Sequence, residues 1–215
     1  MVAAYPASST AVSVSAGGSS DDATPLDAVT CLAPETKARL AAVGITALFP
    51  VQVQTVERVL AGQDVVVRSK TGSGKTLGFA IPIIDALLRE GRPAPRARRG
   101  DGSGGGAAPR VLVLTPTREL AKQVEGEFAR LASPGLRTLA MYGGTAFGPQ
   151  AAELRSGVDI VVGTPGRVMD HLERGTLSLG SVTYAVLDEA DEMLRMGFKQ
   201  DVETIYAKLP PKEQR

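Results

Sequence analysis

Residues 64–76, with the sequence DVVVRSKTGSGKT, decide the fold of this chain. The three valines are typical of a strand buried inside a parallel sheet. After the glycine-rich turn and Lys75-Thr76, an apolar segment from 77 to 89 has the length and composition of a helix. Strand, glycine-rich loop, Lys-Thr and helix together form the context that a phosphate-binding loop requires. We therefore expect an α/β domain that binds a nucleotide.

Short apolar runs like the first recur along the chain, at 111–115, 138–142, 160–164 and 184–188. Helix-like segments at 118–131, 151–155 and 167–174 lie between them. This alternation predicts a doubly wound α/β fold, with a mostly parallel sheet and helices on both faces. Such sheets bind ligands at the carboxyl ends of their strands, and each motif described below follows one of these runs.

The glycine-rich loop supplies the groups that hold a nucleoside triphosphate. Gly72 and Gly74 let backbone N–H groups face one anion, and the N-terminus of the following helix adds its dipole. Lys75 is expected to reach the β- and γ-phosphates, and the hydroxyl of Thr76 to bind Mg²⁺. Ser69 stands where the generic pattern has a glycine. The predicted ATP-binding residues of the loop are Ser69, Lys70, Thr71, Gly72, Ser73, Gly74, Lys75 and Thr76.

The last apolar run ends in two acidic residues, Asp188 and Glu189. A carboxylate at the tip of a buried strand is unfavourable without a partner, and Mg²⁺ bound with a nucleotide is a natural partner for Asp188. Glu189 is placed to orient or deprotonate the water that attacks the γ-phosphate. The alternative is that both residues cap the helix that follows, and the two interpretations are compatible.

The segment 188–191, Asp-Glu-Ala-Asp, is the tetrapeptide that names the DEAD-box RNA helicases, and the chain resembles this family over about residues 35–209. Further motifs follow the family's order: PTRELA at 116–121, Gly-Gly at 143–144 and TPGR at 164–167. Together with the phosphate loop, this ordered set is far more specific than any one motif alone. The resemblance implies a RecA-like P-loop NTPase domain that uses ATP and Mg²⁺ and acts on RNA.

The resemblance also implies roles for individual residues. Lys75, Asp188 and Glu189 would be catalytic. Thr76 and Asp188 would bind Mg²⁺, and Asp191 would couple the ATP site to a second domain. RNA phosphates and 2′-hydroxyls would be held by Thr117, Arg118, Gly143, Gly144, Thr164, Pro165, Gly166 and Arg167. Backbone amides and arginines suit phosphates, and these positions carry no aromatic side chain, so binding independent of the RNA sequence is expected.

Adenine recognition rests on a glutamine before the loop. Its position relative to the loop places Gln52 at the family's adenine-reading residue, whose amide can both donate to and accept from a base edge. Gln54 is an alternative by local pattern, and Ile45 stands where the family usually has an aromatic residue. The Phe49-Pro-Val-Gln variant, with Tyr142-Gly-Gly-Thr, is similar to the nucleolar Gu-type helicases and their plastid relatives.

Composition restricts the class of protein without itself indicating RNA. The 24 Lys and Arg nearly balance 23 Asp and Glu among 215 residues, of which 43% are hydrophobic. The single cysteine, Cys31, excludes an intramolecular disulfide and fits a reducing intracellular compartment. No apolar run reaches about 18 residues, so no membrane span is expected. His171, beside Asp170 and Glu173, is expected on the surface.

Two segments outside the alternating pattern are expected to lack regular structure. Residues 1–30 begin with alanines and serines and carry no charged side chain before Asp21, which predicts a disordered tail, with a transit peptide as the alternative. Residues 91–110 are rich in Gly, Pro, Ala and Arg, which predicts a flexible loop, or alternatively an Arg/Gly segment that binds RNA phosphates. Residues 31–215 are then the ATP-binding domain.

In the family a Ser-Ala-Thr motif and a second RecA-like domain should follow, and both are missing from this chain. Because that domain brings arginines that complete the ATP site, we expect this chain, as a monomer, to bind ATP and RNA weakly and to turn over little ATP. One alternative is an ATP- and RNA-binding module without turnover. Another is a P-loop kinase or GTPase, which the lack of a guanine-reading Asn-Lys-x-Asp motif disfavours.

Overall fold

The computed structural model describes residues 11–15, 22–68, 74–91 and 108–212. They fall into two compact units. The first contains the described residues up to 91 together with Arg130–Ser133, and the second contains the others. Within these described ranges, no helix has both the length and the apolar character needed to cross a membrane.

The first unit is built around the strand that leads into the phosphate loop. Its elements are β1 (Val12–Ser15), β2 (Thr24–Pro25), a 3₁₀ helix (Leu26–Ala28), α1 (Pro34–Ala42), β3 (Ala47–Leu48), α2 (Pro50–Leu60), β4 (Val65–Arg68) and α3 (Lys75–Glu90). β1 pairs with β4 in parallel, and β2 pairs with β3 in an antiparallel manner. α2 and α3 pack against each other and bury apolar side chains such as Val56, Ile81 and Ile84.

Part of the expected disordered tail is ordered in this unit. Val14 is only 1% exposed and packs with Val51, Val65 and Val67. The expectation of disorder over 1–30 therefore does not hold for residues 11–15 and 22–30. The physical reason is a short alternation of valine and serine from Val12, which gives β1 one apolar face. Residues 1–10 and 16–21 lie outside the described part of the chain.

A buried carboxylate fastens the start of α1 to α3. Asp85 is 0% exposed, and its Oδ1 accepts a hydrogen bond of 2.8 Å from the backbone N–H of Ala33, the N-cap residue of α1. Its Oδ2 lies 2.6 Å from Arg89 Nε, one turn further along α3. α1 has no side-chain cap of its own, so Asp85 supplies an acceptor at that helix end.

The second unit contains a four-stranded parallel sheet with the order β6-β7-β5-β8. Its strands are β5 (Val111–Leu114), β6 (Thr138–Met141), β7 (Ile160–Gly163) and β8 (Tyr184–Leu187). Its helices are most of α4 (Arg118–Leu131), α5 (Phe147–Arg155), α6 (Pro165–Glu173), α7 (Ala190–Arg195) and α8 (Lys199–Tyr206). β5 and β7 are buried at every position, as expected for strands covered on both faces.

The predicted strands and the α/β fold with parallel strands are confirmed. Helix limits differ mainly at the starts, because α5 begins at Phe147 and α6 at Pro165 rather than at 151 and 167. A proline in the first helical turn gives up no intrahelical hydrogen bond, so Pro149 and Pro165 do not delay these helices. α2 was not predicted from the sequence, because its Val-Gln-Val-Gln segment alternates with the period of a strand.

An ion pair holds the amino ends of the strands in the second unit. Asp159, just before β7, accepts from Arg110 Nη2 at 3.3 Å and from the backbone N–H of Arg137 at 3.0 Å. The side chains of Arg110 and Asp159 are only 8% and 12% exposed. Arg110 is therefore a structural residue and not part of a flexible cationic loop. Residues 92–107 of the predicted loop lie outside the described residues.

Candidate functional site

The described end of the phosphate loop lies in the first unit and consists of Gly74 and the first turn of α3. Residues 69–73, five of the predicted ATP-binding positions, lie outside the described residues. Gly74 is the N-cap residue of the 16-residue helix α3 and has a left-handed φ of 76°. Lys75 and Thr76 are half-buried in the first turn. Backbone N–H groups, an ammonium and a hydroxyl at one helix start fit a phosphate group and the Mg²⁺ bound to it.

Gln52 is fixed against this loop. It is 2% exposed, its Oε1 accepts a hydrogen bond of 2.8 Å from the N–H of Phe49, and its Nε2 donates to the Gly74 carbonyl at 3.1 Å. The contact of Gln52 is thus with the loop backbone, and its reading of adenine stays a prediction. Gln54 is exposed on α2.

Gly74→Ala is expected to disturb the loop more than the same change at a comparable glycine. An added Cβ at Gly74 would lie 2.2 Å from Gln52 Nε2, whereas Gly62, with φ of 73°, has nothing within 4 Å. Gly62→Ala is the control and should lower the free energy of unfolding by about 1 kcal/mol. Gly74→Ala should lower it further and weaken binding of a fluorescent ATP analogue. Equal losses in urea denaturation would show that the Gln52 contact contributes nothing.

In the second unit, the carboxyl ends of three strands lie side by side. Leu114 of β5 is paired with Gly163 of β7 and with Leu187 of β8. The ladder continues past the strands, since Thr115 N–H donates to Gly163 O at 3.0 Å and Asp188 N–H to Leu114 O at 2.9 Å. The residues that follow these strands therefore leave from one edge of the sheet, which we call the carboxyl edge.

The acidic pair at the carboxyl edge has an unusual backbone. Asp188 is 4% exposed, and Glu189 has a φ of 52°, the only positive φ of a non-glycine residue in the described ranges. A left-handed glutamate is less stable than an extended or helical one by about 1–2 kcal/mol. Glu189 is the N-cap residue of α7 but makes no side-chain capping hydrogen bond. Side-chain capping therefore does not account for Glu189 at this position.

Two predicted RNA-binding segments also meet at the carboxyl edge. A Cβ added to Gly144 would lie 3.7 Å from Arg118 Nη1, so the guanidinium stands directly beside this glycine. Gly144 has a φ of 79°, and both it and Gly143 are exposed. The side chain of Arg118 is 61% exposed, and its hydrogen bond to Glu119 raises the pKa of Arg118. A permanent cation thus lies beside exposed backbone, as phosphate binding requires.

Lys122 adds a cation that the motifs did not include. Its Nζ lies 5.1 Å from the centroid of the Tyr142 ring, next to Gly143. Lys122 follows Arg118 by one turn of α4, so both cations face the loop 142–145. This i, i+4 spacing is the signal that identifies Lys122 from the sequence.

Other residues of the predicted RNA-binding set form helix starts. Thr117 Oγ1 accepts from the N–H of Leu120 at 3.2 Å and so caps α4. Thr164 is the N-cap residue of α6, and its own N–H donates to Met141 O at 2.9 Å. Pro165 is buried, whereas Gly166 is exposed in the first turn. These helix starts present N–H groups at the carboxyl edge, where they can bind phosphate.

Arg167 lies against the loop 142–145 rather than in solvent. Its side chain is 12% exposed, its Nη2 donates to Thr145 O at 3.0 Å, and its Nη1 donates to Gln150 Oε1 at 3.1 Å. Gln150 Nε2 in turn donates to Tyr142 O at 3.2 Å and to Thr145 Oγ1 at 2.9 Å. Direct contact of Arg167 with RNA stays a prediction.

His171 is buried, which corrects the expectation of a surface histidine. It is 0% exposed, its Nε2 lies 3.2 Å from Gln150 Oε1, and its Nδ1 lies 2.8 Å from Thr176 Oγ1. The ring stacks on Phe147 with centroids 4.1 Å apart. Because Gln150 Oε1 can only accept, the network assigns the ring proton to Nε2. The sequence feature that could have indicated burial of His171 is its i, i+3 spacing from Val168, which is also buried on α6.

His171 is expected to make folding sensitive to weak acid. Burial lowers the pKa of His171 to about 4. The positive charges of Arg167 and Arg174 also lower this pKa, whereas the negative charge of Asp170 raises it. Between about pH 6.5 and 4 the unfolded chain binds a proton that the folded chain does not, so stability falls as the pH falls. His171 alone should lower the free energy of unfolding by about 2 kcal/mol near pH 5 relative to neutral pH.

The measurement is urea denaturation across this pH range for the wild type and for His171→Gln. Glutamine keeps a donor near the position of Nε2 and does not titrate, so the variant should lose less stability on acidification. Parallel curves for the two proteins would contradict a neutral buried His171.

Asp191 lies on α7, with its side chain 53% exposed and an ion pair of 3.1 Å to Arg195. Its predicted role in coupling to a second domain stays a prediction. Within the second unit the structure therefore groups the residues of four predicted segments at one edge, namely those following β5, β6, β7 and β8.

The chain is similar to known proteins over most of its length. The family model for DEAD/DEAH box helicases matches residues 49–215. The chain is 49% identical over 183 residues to DEAD-box ATP-dependent RNA helicase 9 of Oryza sativa subsp. japonica, covering 85% of this chain and 27% of that protein. It is 52% identical over 172 residues to DEAD-box ATP-dependent RNA helicase 7 of Arabidopsis thaliana, covering 80% of this chain and 25% of that protein. The chain thus spans about a quarter of the length of these curated relatives.

Among solved structures, the crystal structure of a DEAD box protein from the hyperthermophile Methanococcus jannaschii is similar, with a TM-score of 0.69 and 38% identity. That similarity covers 83% of this chain and 45% of the other. The fold is therefore shared with that protein.

Proposed function

This chain belongs to the DEAD/DEAH box helicase family, and from that membership we propose that it is the ATP-binding part of an ATP-dependent RNA helicase. The observation that carries the proposal is the grouping of Arg118, Gly144 and Asp188 at the carboxyl edge of one parallel sheet. An RNA-binding cation and a hydrolytic acidic pair at one edge allow strand binding and ATP hydrolysis to influence each other.

The first unit provides the binding of phosphate. Lys75 places a positive charge at the start of α3, where the helix dipole and the backbone N–H groups of the first turn also attract an anion. Gln52 donates to the Gly74 carbonyl and so helps to hold Gly74 in its left-handed conformation. Mg²⁺ would neutralise negative charge on the phosphates, and the Thr76 hydroxyl is the ligand that this unit would supply. Asp188 of the second unit is separately proposed as a Mg²⁺ ligand.

Glu189 is proposed as the residue that activates water. Its carboxylate accepts a proton from the attacking water as the water oxygen bonds to the γ-phosphorus and the bond to the ADP oxygen breaks. The left-handed backbone of Glu189 supports this role, because a strained conformation without a capping hydrogen bond adds nothing to folding.

RNA is proposed to bind through its backbone. Arg118 and Lys122 supply charge, and the exposed Gly143 and Gly144 offer backbone N–H groups without a side chain in the way. None of these groups distinguishes one base from another, which supports binding that is independent of the RNA sequence.

The proposal also includes a second RecA-like domain. A second RecA-like domain would supply the arginines that stabilise the transition state, and Asp191 would transmit changes to it. The domain of this chain is proposed to span 31–215 and to act as a monomer. Placement among the Gu-type or plastid helicases stays a prediction.

The experiment that tests the proposed function measures binding and slow hydrolysis together. Single-turnover assays with radiolabelled ATP and excess protein detect turnover, and fluorescence anisotropy with a labelled single-stranded RNA detects binding. Glu189→Gln should lower hydrolysis by about 100-fold and keep ATP affinity, since it removes only the proton acceptor. Arg118→Ala should weaken RNA binding about tenfold and flatten its salt dependence, because one phosphate contact is lost.

Each part can fail separately. If Glu189→Gln hydrolyses ATP at the rate of the wild type, Glu189 does not activate the attacking water. If Arg118→Ala leaves the RNA affinity unchanged, RNA does not bind at the carboxyl edge as proposed. Binding of both ligands with no detectable turnover in the wild type would favour the binding module over the enzyme.

A further inference from the structure

The side-chain amide of Gln150 uses all four of its hydrogen-bonding positions. Its two N–H groups donate to Tyr142 O at 3.2 Å and to Thr145 Oγ1 at 2.9 Å. Its carbonyl oxygen accepts from Arg167 Nη1 at 3.1 Å and from His171 Nε2 at 3.2 Å. Gln150 is 8% exposed, so bulk water cannot substitute for these partners.

These partners belong to two segments that are separate in the sequence. Tyr142 and Thr145 flank the glycine pair after β6, whereas Arg167 lies in the first turn of α6 after β7. Arg167 strengthens the link, because its Nη2 donates to Thr145 O at 3.0 Å. The two segments therefore share one hydrogen-bond network, with Gln150 at its centre.

The chemistry of the network admits few other residues at position 150. Glutamate would accept on both oxygens and would face the Tyr142 carbonyl with a negative charge. Asparagine is one methylene shorter and would not reach both segments from α5. Arg167 fixes the orientation of the amide, since its guanidinium can only donate and its Nη1 needs the oxygen and not the nitrogen of Gln150.

We propose that Gln150 is a positioning residue for RNA binding, which holds the loop 142–145 and the start of α6 in one arrangement so that both bind the same RNA backbone. This inference rests on the proposed RNA site at the carboxyl edge. Gln150 itself does not touch RNA in this proposal. Its effect is preorganisation, because the loop otherwise has to be ordered when RNA binds.

Gln150→Met tests the proposal, because methionine has a similar size and length but neither donates nor accepts strongly. Anisotropy with a labelled single-stranded RNA, at a temperature well below the unfolding midpoint, should show affinity weakened about tenfold. Affinity for a fluorescent ATP analogue should stay within about twofold. The matched control is Gln123→Met, the same change at an exposed position of α4, which should bind RNA like the wild type.

Thr145→Val provides a second variant that keeps the fold, since Thr145 is exposed. It removes the hydroxyl that accepts from Gln150 and should weaken RNA binding about threefold. The Thr145 hydroxyl also donates to Tyr142 O at 3.2 Å, so part of its effect is independent of Gln150. The double variant should therefore lose less affinity than the sum of the two single losses, because the bond to Gln150 is common to both variants. A purely structural Gln150 would lower the unfolding midpoint in the single variant and leave RNA affinity of the folded protein unchanged.

The outcomes separate this inference from the proposed function. RNA affinity of Gln150→Met within about twofold of the wild type, or additive effects of the two variants, overturns the inference. If Gln150→Met does not fold, an unchanged affinity in Thr145→Val overturns it as well. If Arg118→Ala weakens RNA binding and the Gln150 variants do not, only the inference fails. If neither the wild type binds RNA nor Arg118→Ala changes anything, both fail.

Discussion

Lys75→Ala is expected to lower the affinity of this chain for ATP by about 100-fold, which corresponds to loss of one strong charge-assisted contact. Lys75 lies in the first turn of α3, where the helix dipole adds to its charge and Gly74 shapes the backbone beside it. It is half-buried and is not among the buried residues of α3, so its removal should leave the apolar core of that helix intact.

The measurement is titration with a fluorescent ATP analogue in the presence of Mg²⁺, together with the thermal unfolding midpoint. Lys208→Ala, a change at an exposed lysine of the second unit, is the control and should leave both quantities unchanged. Retention of ATP affinity in Lys75→Ala would show that the loop does not hold phosphate as proposed. A fall in affinity accompanied by a large fall in the midpoint would instead indicate a damaged fold.

Arg110→Met is expected to lower the free energy of unfolding by about 3–5 kcal/mol, because it leaves the Asp159 carboxylate buried without its cation. Asp159 also accepts from the N–H of Arg137, so a disturbed carboxylate affects the starts of β5, β6 and β7 together. This is the largest stability effect that we expect from a single polar side chain in the second unit.

Urea denaturation of the 215-residue chain measures this effect. Arg195→Met is the matched control, because the side chain of Arg195 is 70% exposed although it pairs with Asp191 and Glu192. Its loss should change the free energy of unfolding by about 0.5 kcal/mol or less. Combining Arg110→Met with Asp159→Asn should recover part of the loss, since neither charge then remains buried alone. A loss in Arg110→Met no larger than in Arg195→Met would contradict the structural role of the pair.

Much of the fold could be predicted from the sequence because its strands are short, apolar and followed by polar motifs. A strand buried on both faces, such as β5, produces a continuous apolar run that is difficult to mistake. β1 was not predicted, because Val12 and Val14 are buried only when β4 lies beside them. A local pattern of four residues does not contain that pairing. α2 was not predicted, because its glutamines and valines alternate with the period of a strand.

Motifs predicted the candidate residues that they contain, whereas residues that belong to no motif were not predicted. Arg118 and Gly144 lie together as their order in the chain suggested. Gln150 and His171 belong to no motif, and their importance depends on which side of α5 and α6 faces the loop 142–145. That orientation depends on packing between helices, which sequence periodicity indicates only weakly for nine-residue helices.

Substitutions at the two ends of the sheet in the second unit should have different effects, one on stability and the other on activity. The buried pair of Arg110 and Asp159 lies at the amino ends of its strands, and Arg118, Gly144 and Asp188 lie at the carboxyl ends. Substitutions at the first end should lower the amount of folded protein in a cell, because a few kcal/mol changes abundance several-fold. Substitutions at the second end should leave abundance normal and lower the activity of each molecule. Measuring abundance and specific activity side by side would therefore sort variants of this chain by the end of the sheet that they affect.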